Sequence, residues 1–189
     1  MKSIAIFASG SGSNAEAIMK YFQSSEKVKI ISVFSNKSDA KVLERATKFE
    51  IDTFIFSKKE LESGVVLEKL SELNPDLIVL AGFLLKIPDE MVKTFPNKII
   101  NIHPALLPKY GGKGMYGINV HKAVLENREK ETGITIHYVN EQYDEGNIIF
   151  QESINITDCQ SPEEVALKVL SLEHRNYPVV IDEVLRRKH

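Results

Sequence analysis

The chain has 189 residues, with 24 Lys and Arg against 26 Asp and Glu, so its net charge is −2. At roughly 150 residues per domain, this length predicts a single domain. The lack of a basic excess argues against a nucleic-acid binder, and the 43% of apolar residues argue against disorder.

The first apolar run, within MKSIAIFASG, is too short for a secretory signal or a membrane span. Cys159 is the only cysteine and cannot form an internal disulfide. The sequence has no CxxC, HExxH or EF-hand pattern, so we expect no metal site. We therefore expect a cytoplasmic protein that does not associate with membranes.

Strand-length apolar runs alternate with amphipathic segments through about residue 102, and the predicted strands are 3–8, 28–34, 53–56 and 76–81. Near-continuous apolar runs are typical of parallel strands covered on both faces. Capping boxes predict helix starts at Ser13 with Glu16, Ser57 with Glu60, and Ser161 with Glu164, where Pro162 follows. This alternation predicts a doubly wound α/β fold.

The pattern changes after residue 102. Residues 133–139 and 147–154 are predicted strands joined by a short polar turn, which allows an antiparallel pair. The chain then ends in two predicted helical stretches, 162–175 and 177–187.

A glycine loop follows the first predicted strand and precedes a helix, with the pattern G-x-G-x-x-A over residues 10–15. Such a loop brings backbone N–H groups close to an anion. A dinucleotide site needs an acidic residue after the second strand, but Ser35, Asn36 and Lys37 stand there. Lys37 could bind the 2′-phosphate of NADP, so an NADP site stays an alternative. The serines and the asparagine of the loop favour a phosphate monoester as the ligand.

A strand-like segment carries Asn101 and His103 two residues apart, which places them on one face of the strand. Asp144 follows the next predicted strand, so the three side chains can converge at strand ends. Asn can donate to a developing oxyanion, His can move a proton, and Asp can charge the imidazole. Without an obvious nucleophile, this set indicates direct acyl transfer through a tetrahedral intermediate.

Glu173 continues an apolar helical stripe of Ala166, Val169 and Leu170. A buried unpaired carboxylate there would cost several kcal/mol. Three interpretations stay open: an exposed helix end, a pair with Arg175 or another base, or contact with a polar ligand. We interpret His137 as a core residue or a support for the site, and His121 and His174 as structural or surface residues.

Six motifs are spread over essentially the whole chain. They are SGSGSN (9–14), FSNKSDA (34–40), LAGFLLKIP (80–88), NIHPALLPKY (101–110), YDEGNIIFQ (143–151) and LEHRNYP (172–178). Together they resemble the phosphoribosylglycinamide formyltransferase family of folate-dependent enzymes. NIHPALLP with a downstream Asp-x-Gly is the wider folate formyltransferase signature, and SGSGSN is specific to this family.

The resemblance implies formyl transfer from 10-formyltetrahydrofolate to the amine of 5′-phosphoribosylglycinamide in de novo purine biosynthesis. Asn101 and a protonated His103 would hold the oxyanion while Asp144 keeps His103 charged. Gly12, Ser13 and Asn14 would bind the nucleotide phosphate, and Glu173 its ribose hydroxyls. The implied folate-binding residues are Lys59, Leu84, Leu85, Lys86, Ile87, Asn101 and Asn140.

The resemblance also implies a mostly parallel, seven-stranded sheet with one antiparallel strand and helices on both faces. Residues 1–102 would form a nucleotide-binding, Rossmann-like half of a single domain, and 103–189 a folate-binding, catalytic half. The glycine-rich loop 109–121 is either a lid or a plain surface loop. For the oligomeric state, a monomer and a homodimer both stay possible.

Three alternatives are weighed against this function. A methionyl-tRNA formyltransferase would need a further tRNA-binding domain, usually basic, and a formyltetrahydrofolate hydrolase a further N-terminal regulatory domain. We expect neither domain from a sequence of 189 residues and net charge −2. An NADP-binding module would use the glycine loop but leave Asn101, His103 and Asp144 without a role.

Overall fold

The computed structural model describes residues 1–142 and 144–187. Seven strands form one sheet in the order β3-β2-β1-β4-β5-β6-β7. The strands are β1 (Lys2–Phe7), β2 (Val28–Ser35), β3 (Thr53–Ile55), β4 (Leu77–Leu80), β5 (Ile99–His103), β6 (Glu131–Tyr138) and β7 (Ile148–Asn155). Strands β1 to β5 run parallel, and β6 is antiparallel to both neighbours. The predicted sheet, with its single antiparallel strand, is confirmed.

Helices cover both faces of the sheet because successive residues of the central strands point to opposite sides. In β1, Ile4 and Ile6 join one buried cluster, whereas Ala5 and Phe7 join the other. The helices are α1 (Ser13–Phe22), α2 (Lys41–Lys48), α3 (Lys58–Glu62), α4 (Val65–Leu73), α5 (Asp89–Thr94), α6 (Ile118–Glu126) and α7 (Pro162–Arg186). Helices α1, α2, α6 and α7 contribute to the first cluster, and α3 to α5 contribute to the second.

Two of the three predicted helix starts have the expected cap. Ser57 and Glu60 form a complete capping box before α3. The Ser161 side chain accepts from the Glu164 backbone N–H, with Pro162 in the first turn. The Glu164 carboxylate accepts from the backbone N–H of Gln160 at 2.5 Å, so the reciprocal half of that box is displaced by one residue.

The predicted capping box of Ser13 with Glu16 is wrong. Gly12 is the N-cap of α1, in the left-handed region at φ 71°, and makes no side-chain cap because glycine has none. Ser13 is therefore the first helical residue. The Glu16 carboxylate instead pairs with Lys20 and Arg45.

The two predicted C-terminal helices are one continuous helix, α7, with Pro178 inside it. A proline inside a helix lacks one N–H donor and costs about 3 kcal/mol. Burial around the proline offsets this cost, since Tyr177 and Ile181 are fully buried and the Tyr177 hydroxyl donates to the Leu80 carbonyl at 2.9 Å. Within the described chain, no helix is long and apolar enough to cross a membrane.

Candidate active site

A cavity of about 740 Å³ lies beyond the carboxyl ends of β4 and β5, where ligands collect in open α/β sheets. Its apolar wall comes largely from the segment after β4 and from α7. Its polar residues include Asn14, Asn101, His103, His121, His137, Asn140, Asp144 and Glu173. The structure therefore brings the three predicted catalytic residues into one cavity with Asn14 and Glu173.

Asn101 and His103 lie on one face of β5, as their spacing predicts, and both line the cavity. The Nε2 atom of His103 lies 2.7 Å from the Tyr110 carbonyl oxygen. Because a carbonyl only accepts, Nε2 carries the proton in this contact. The other ring nitrogen, Nδ1, lies 3.7 Å from Oδ2 of Asp144.

Asp144 has a left-handed backbone at φ 55° and directs its carboxylate between two imidazoles. Its Oδ2 accepts from the Gly112 N–H at 2.9 Å, and its Oδ1 lies 3.5 Å from Nε2 of His137. Burial raises the pKa of this carboxyl, but His137, His103 and the Gly112 N–H together lower the pKa below its ordinary value. Asp144 is therefore ionised at neutral pH.

The expected charge on His103 stays a prediction, because two opposing effects act on its pKa. Burial lowers the pKa of His103 below its ordinary value of 6.5 and outweighs the opposing effects of Asp144 and the Tyr110 carbonyl. A lowered pKa favours the neutral imidazole, with its proton on Nε2. Its Nδ1 is then free to accept a proton on the side that faces Asp144.

Asn14 and Glu173 form the other polar group of the cavity. The Asn14 amide donates to Oε2 of Glu173 at 2.7 Å. Glu173 is 8% exposed, and burial raises its pKa to about 7 despite this hydrogen bond. The Oδ1 atom of Asn14 is buried and has no hydrogen-bond partner in the described part of the chain.

Two of the open interpretations of Glu173 are excluded. Its helix position is buried, and Arg175 pairs with Glu152. The predicted stripe is partly wrong, because Ala166 and Leu170 are half-buried along the cavity while Val165 and Leu172 are buried in the core. A helix this close to a cavity presents two apolar faces, one to the core and one to the cavity.

Sterics require a glycine at position 12 of the glycine loop. A Cβ atom at this position would lie 2.5 Å from the Cβ of Val42, and the residue has a positive φ. Gly12 and Ser13 do not line the cavity themselves, whereas Asn14 in the next position does. Ser9 donates to Asn36 at 2.7 Å and accepts from the Leu84 N–H at 3.0 Å, which ties the loop to the cavity wall.

The predicted folate-binding residues are divided by the structure. Leu84, Leu85, Lys86, Ile87 and Asn140 line the cavity together with Asn101. Lys86 also pairs with Asp89 at 3.0 Å. Lys59 does not reach the cavity lining, since it is exposed on α3. The folate-binding role that the resemblance implies for Lys59 therefore has no support from the lining of this cavity.

Comparisons with known proteins show which family the chain belongs to. The formyl transferase family matches the chain over residues 2–181. The chain belongs to the formyl transferase family.

Within this family, the chain is similar to proteins named phosphoribosylglycinamide formyltransferase. Phosphoribosylglycinamide formyltransferase of Bacillus subtilis is 38% identical over 98% of this chain and 95% of the relative. The chloroplastic one of Arabidopsis thaliana is 40% identical over 99% of this chain and 66% of the relative. This chain thus spans about two thirds or less of the length of the two plant relatives. The resemblance to phosphoribosylglycinamide formyltransferases is confirmed.

Solved structures of formyl transferases share the fold. Phosphoribosylglycinamide formyltransferase from Anaplasma phagocytophilum superposes with a TM-score of 0.89, at 34% identity, over 98% of this chain and 87% of that one. The one from Brucella melitensis has a TM-score of 0.88, at 33% identity, over 100% of this chain and 97% of that one.

Two histidines of the cavity were not predicted as catalytic or binding residues, although His137 was interpreted as a core residue or a support for the site. His137 lies on β6 directly opposite Asn101 on β5. His121, on α6, is buried in the cavity lining, and its Nδ1 has no partner among residues 1–142 and 144–187. Burial and then the nearby His103 lower the pKa of His121. Only the register of β5 against β6 could have indicated His137, and no sequence signal indicated His121.

Part of the loop 109–121 also lines the cavity, from Gly112 to Ile118. Tyr143, the first residue of one resemblance motif, lies outside the described residues. No cluster of three or more His, Cys, Asp and Glu able to hold a metal occurs in the described ranges.

Proposed function

We propose that the protein transfers a formyl group from 10-formyltetrahydrofolate to the amine of 5′-phosphoribosylglycinamide, giving formylglycinamide ribonucleotide in de novo purine biosynthesis. The observation that carries this proposal is the convergence of Asn101, His103 and Asp144 on one cavity that also has an apolar wall. Membership of the formyl transferase family supports the reaction type. The names of the relatives support the acceptor.

The three catalytic residues would act on the formyl carbon and on one proton. The acceptor amine attacks this carbon, a C–N bond forms, and Asn101 donates a hydrogen bond to the developing oxyanion. Neutral His103 accepts the amine proton at Nδ1, and the ionised Asp144 stabilises the resulting imidazolium. The proton then passes to the leaving nitrogen of the donor as the second C–N bond breaks.

The folate-derived donor would occupy the apolar side of the cavity, where it supplies the formyl carbon. Leu84, Leu85 and Ile87 provide apolar contact, and the backbone of residues 84–87 and Asn140 provides polar contact. An apolar wall with a few polar groups is the usual composition of a small-molecule site. Lys59 has no part in this proposal, because it lies outside the cavity lining.

The nucleotide would bind where α1 begins. The first N–H groups of a helix have no partner within the helix and attract a phosphate, so Gly12, Ser13 and Asn14 are the phosphate-binding residues of this proposal. Glu173 would receive ribose hydroxyls, since its carboxyl is buried beside the unpartnered Oδ1 of Asn14. Residues 1–102 would then hold most of the phosphate site, and residues 103–189 most of the catalytic site. The cytoplasmic location stays a prediction, as does the choice between monomer and homodimer.

The experiment is a steady-state assay of formyl transfer with the two named substrates, alongside calorimetry with NADPH. We expect turnover that requires both substrates and no heat of binding for NADPH. Binding of NADPH without any formyl transfer would contradict the proposal and favour the NADP-binding alternative.

A further inference from the structure

His137 contacts the amide that the proposed reaction uses, although no step of that reaction involves it. The residue is 2% exposed and lies opposite Asn101 in the antiparallel pairing of β5 and β6. The pairing of β6 with β7 shifts by a residue between Ile136 and His137. Such bulges re-aim side chains and are frequent beside active sites.

The backbone fixes which nitrogen of His137 carries a proton. Its Nδ1 lies 2.9 Å from the carbonyl oxygen of Tyr138. Because this oxygen can only accept, Nδ1 must be the donor. Gly146 leaves room for this carbonyl, since a Cβ at Gly146 would lie 1.6 Å from the Tyr138 oxygen.

The other nitrogen, Nε2, meets the side chain of Asn101. The distance between Nε2 and Nδ2 of Asn101 is 3.3 Å. In the tautomer that carries its proton on Nδ1 alone, the ring has a lone pair at Nε2, which accepts an N–H from the amide. If the amide were turned over, its oxygen and Nε2 would be two acceptors facing each other, which is unfavourable.

A carboxylate lies near the same ring nitrogen and could bond it only if Nε2 carried a proton, since an ionised carboxylate only accepts. Asp144 Oδ1 lies 3.5 Å from Nε2, compared with 3.3 Å for Nδ2 of Asn101, so the contact with Asn101 is the shorter of the two although both exceed the usual range of about 2.7–3.2 Å. Asn101 makes no other side-chain hydrogen bond in the described ranges, so its second N–H is available to the cavity that it lines.

We propose that His137 is a positioning residue that turns the Asn101 amide so that an N–H, and not the carbonyl oxygen, faces the reacting oxygen. The order of contacts is the Tyr138 carbonyl, the His137 ring and the Asn101 amide. This role rests on the proposed formyl transfer for its kinetic effect, whereas the tautomer of His137 can be measured without any substrate.

The first test is nitrogen NMR of the wild-type protein labelled with ¹⁵N in histidine. We expect His137 to show a protonated Nδ1 and an unprotonated Nε2 at neutral pH, together with a coupling between Nε2 and the Asn101 side-chain nitrogen. A proton on Nε2 would overturn the proposal, whether or not the protein transfers formyl groups. The two proposals can therefore fail separately.

The second test compares His137→Leu with His137→Gln, because Gln places an acceptor oxygen near the position of Nε2 and Leu does not. Losing an oxyanion donor costs about 10²–10³ in kcat, so a misdirected donor should cost at least about 10-fold in His137→Leu. We expect KM for both substrates to stay within about twofold and His137→Gln to recover most of kcat. Equal losses in both variants would contradict a positioning role.

The same substitution in the Asn101→Ala background separates positioning from general stability. If His137 acts through Asn101, His137→Leu has almost no further effect on kcat once the amide is gone, since coupled residues are not additive. A full additional loss in this background would overturn the proposal. Circular dichroism of each variant checks that the fold is retained, and the NMR result decides should His137→Leu fail to fold.

Discussion

The two polar ends of the cavity differ in how completely their groups are satisfied. At the β5 end, the His103 and His137 rings each bond a backbone carbonyl, and Asp144 bonds the Gly112 N–H. At the α1 end, the buried Oδ1 of Asn14 has no partner in the described chain, and Glu173 has one hydrogen bond. Apart from Nδ1 of His121, the groups of the first end are held in place by the protein itself, whereas the second end lacks partners that a ligand can supply.

This difference separates catalysis from binding. A group held in place before the reaction stabilises the transition state without reorganising, so changes at the β5 end should act on kcat. A group that gains its partner from a ligand contributes to affinity, so changes at the α1 end should act on KM and on stability. The predictions below test this division, from the largest expected effect to the smallest.

The largest effect is expected for His103→Ala. This change removes the proton acceptor of the proposed reaction, and we expect kcat to fall by at least about 10²–10³ with KM nearly unchanged. Steady-state kinetics checks it, with circular dichroism as the control for folding. A normal kcat with a raised KM would contradict a catalytic role for His103 and indicate that it binds substrate.

Glu173→Gln tests the buried carboxyl at the α1 end through its pH dependence. The folded-state pKa of about 7 lies above the ordinary 4.5, so the contribution of Glu173 to stability is greatest below pH 4.5 and declines as the pH rises to about 7. The shift is worth about 3 kcal/mol. The unfolding free energy of Glu173→Gln, relative to that of the wild type, should therefore increase by about 3 kcal/mol as the pH rises from about 4.5 to about 8.

Chemical denaturation of both proteins across this pH range measures the difference in unfolding free energy. The difference isolates Glu173 because all other groups are shared by the two proteins. A difference that does not change with pH would show that Glu173 is not titrating in this window.

Gly12→Ala tests whether the backbone at the start of α1 is set by sterics. An alanine in the left-handed region costs about 1–2 kcal/mol, and its Cβ would also collide with Val42. We expect a loss of about 2 kcal/mol in unfolding free energy. Gly10→Ala is the matched control, because a Cβ at Gly10 meets nothing within 4 Å, and it should be nearly neutral.

The smallest effect is expected for Lys59→Ala. This lysine is exposed on α3 and outside the cavity lining. We expect KM for the formyl donor to change by less than about twofold, because the side chain does not line the cavity that would hold the donor and exposed charges contribute little. A clear rise in that KM would place the donor's tail near α3 and extend the site beyond the cavity.

The sequence could predict what depends on local periodicity. The strand period of two places Asn101 and His103 on one face, and the local capping patterns identify the helix starts at Ser57 and Ser161. Both predictions depend only on residues close together in the chain. The alternation of strands and helices likewise predicts the parallel half of the sheet.

What the sequence could not predict depends on distant contacts. The N-cap of the first helix is Gly12 rather than Ser13, and a Cβ at Gly12 would collide with the distant Val42. Helix α7 continues through Pro178, next to Tyr177, whose hydroxyl donates to Leu80 of β4. His137 meets Asn101 across 36 residues of sequence, through the register of two strands. The lowered pKa of His103 follows from burial, which residue types alone do not give.

The most direct test of the account is the single-turnover rate of formyl transfer by Asn101→Ala at saturating concentrations of both substrates. This rate reports the chemical step separately from binding and product release. The account predicts a rate about 10²–10³ below that of the wild type, with both substrates still bound at near-normal affinity. A rate within about threefold of the wild type would contradict the claim that this amide stabilises the transition state.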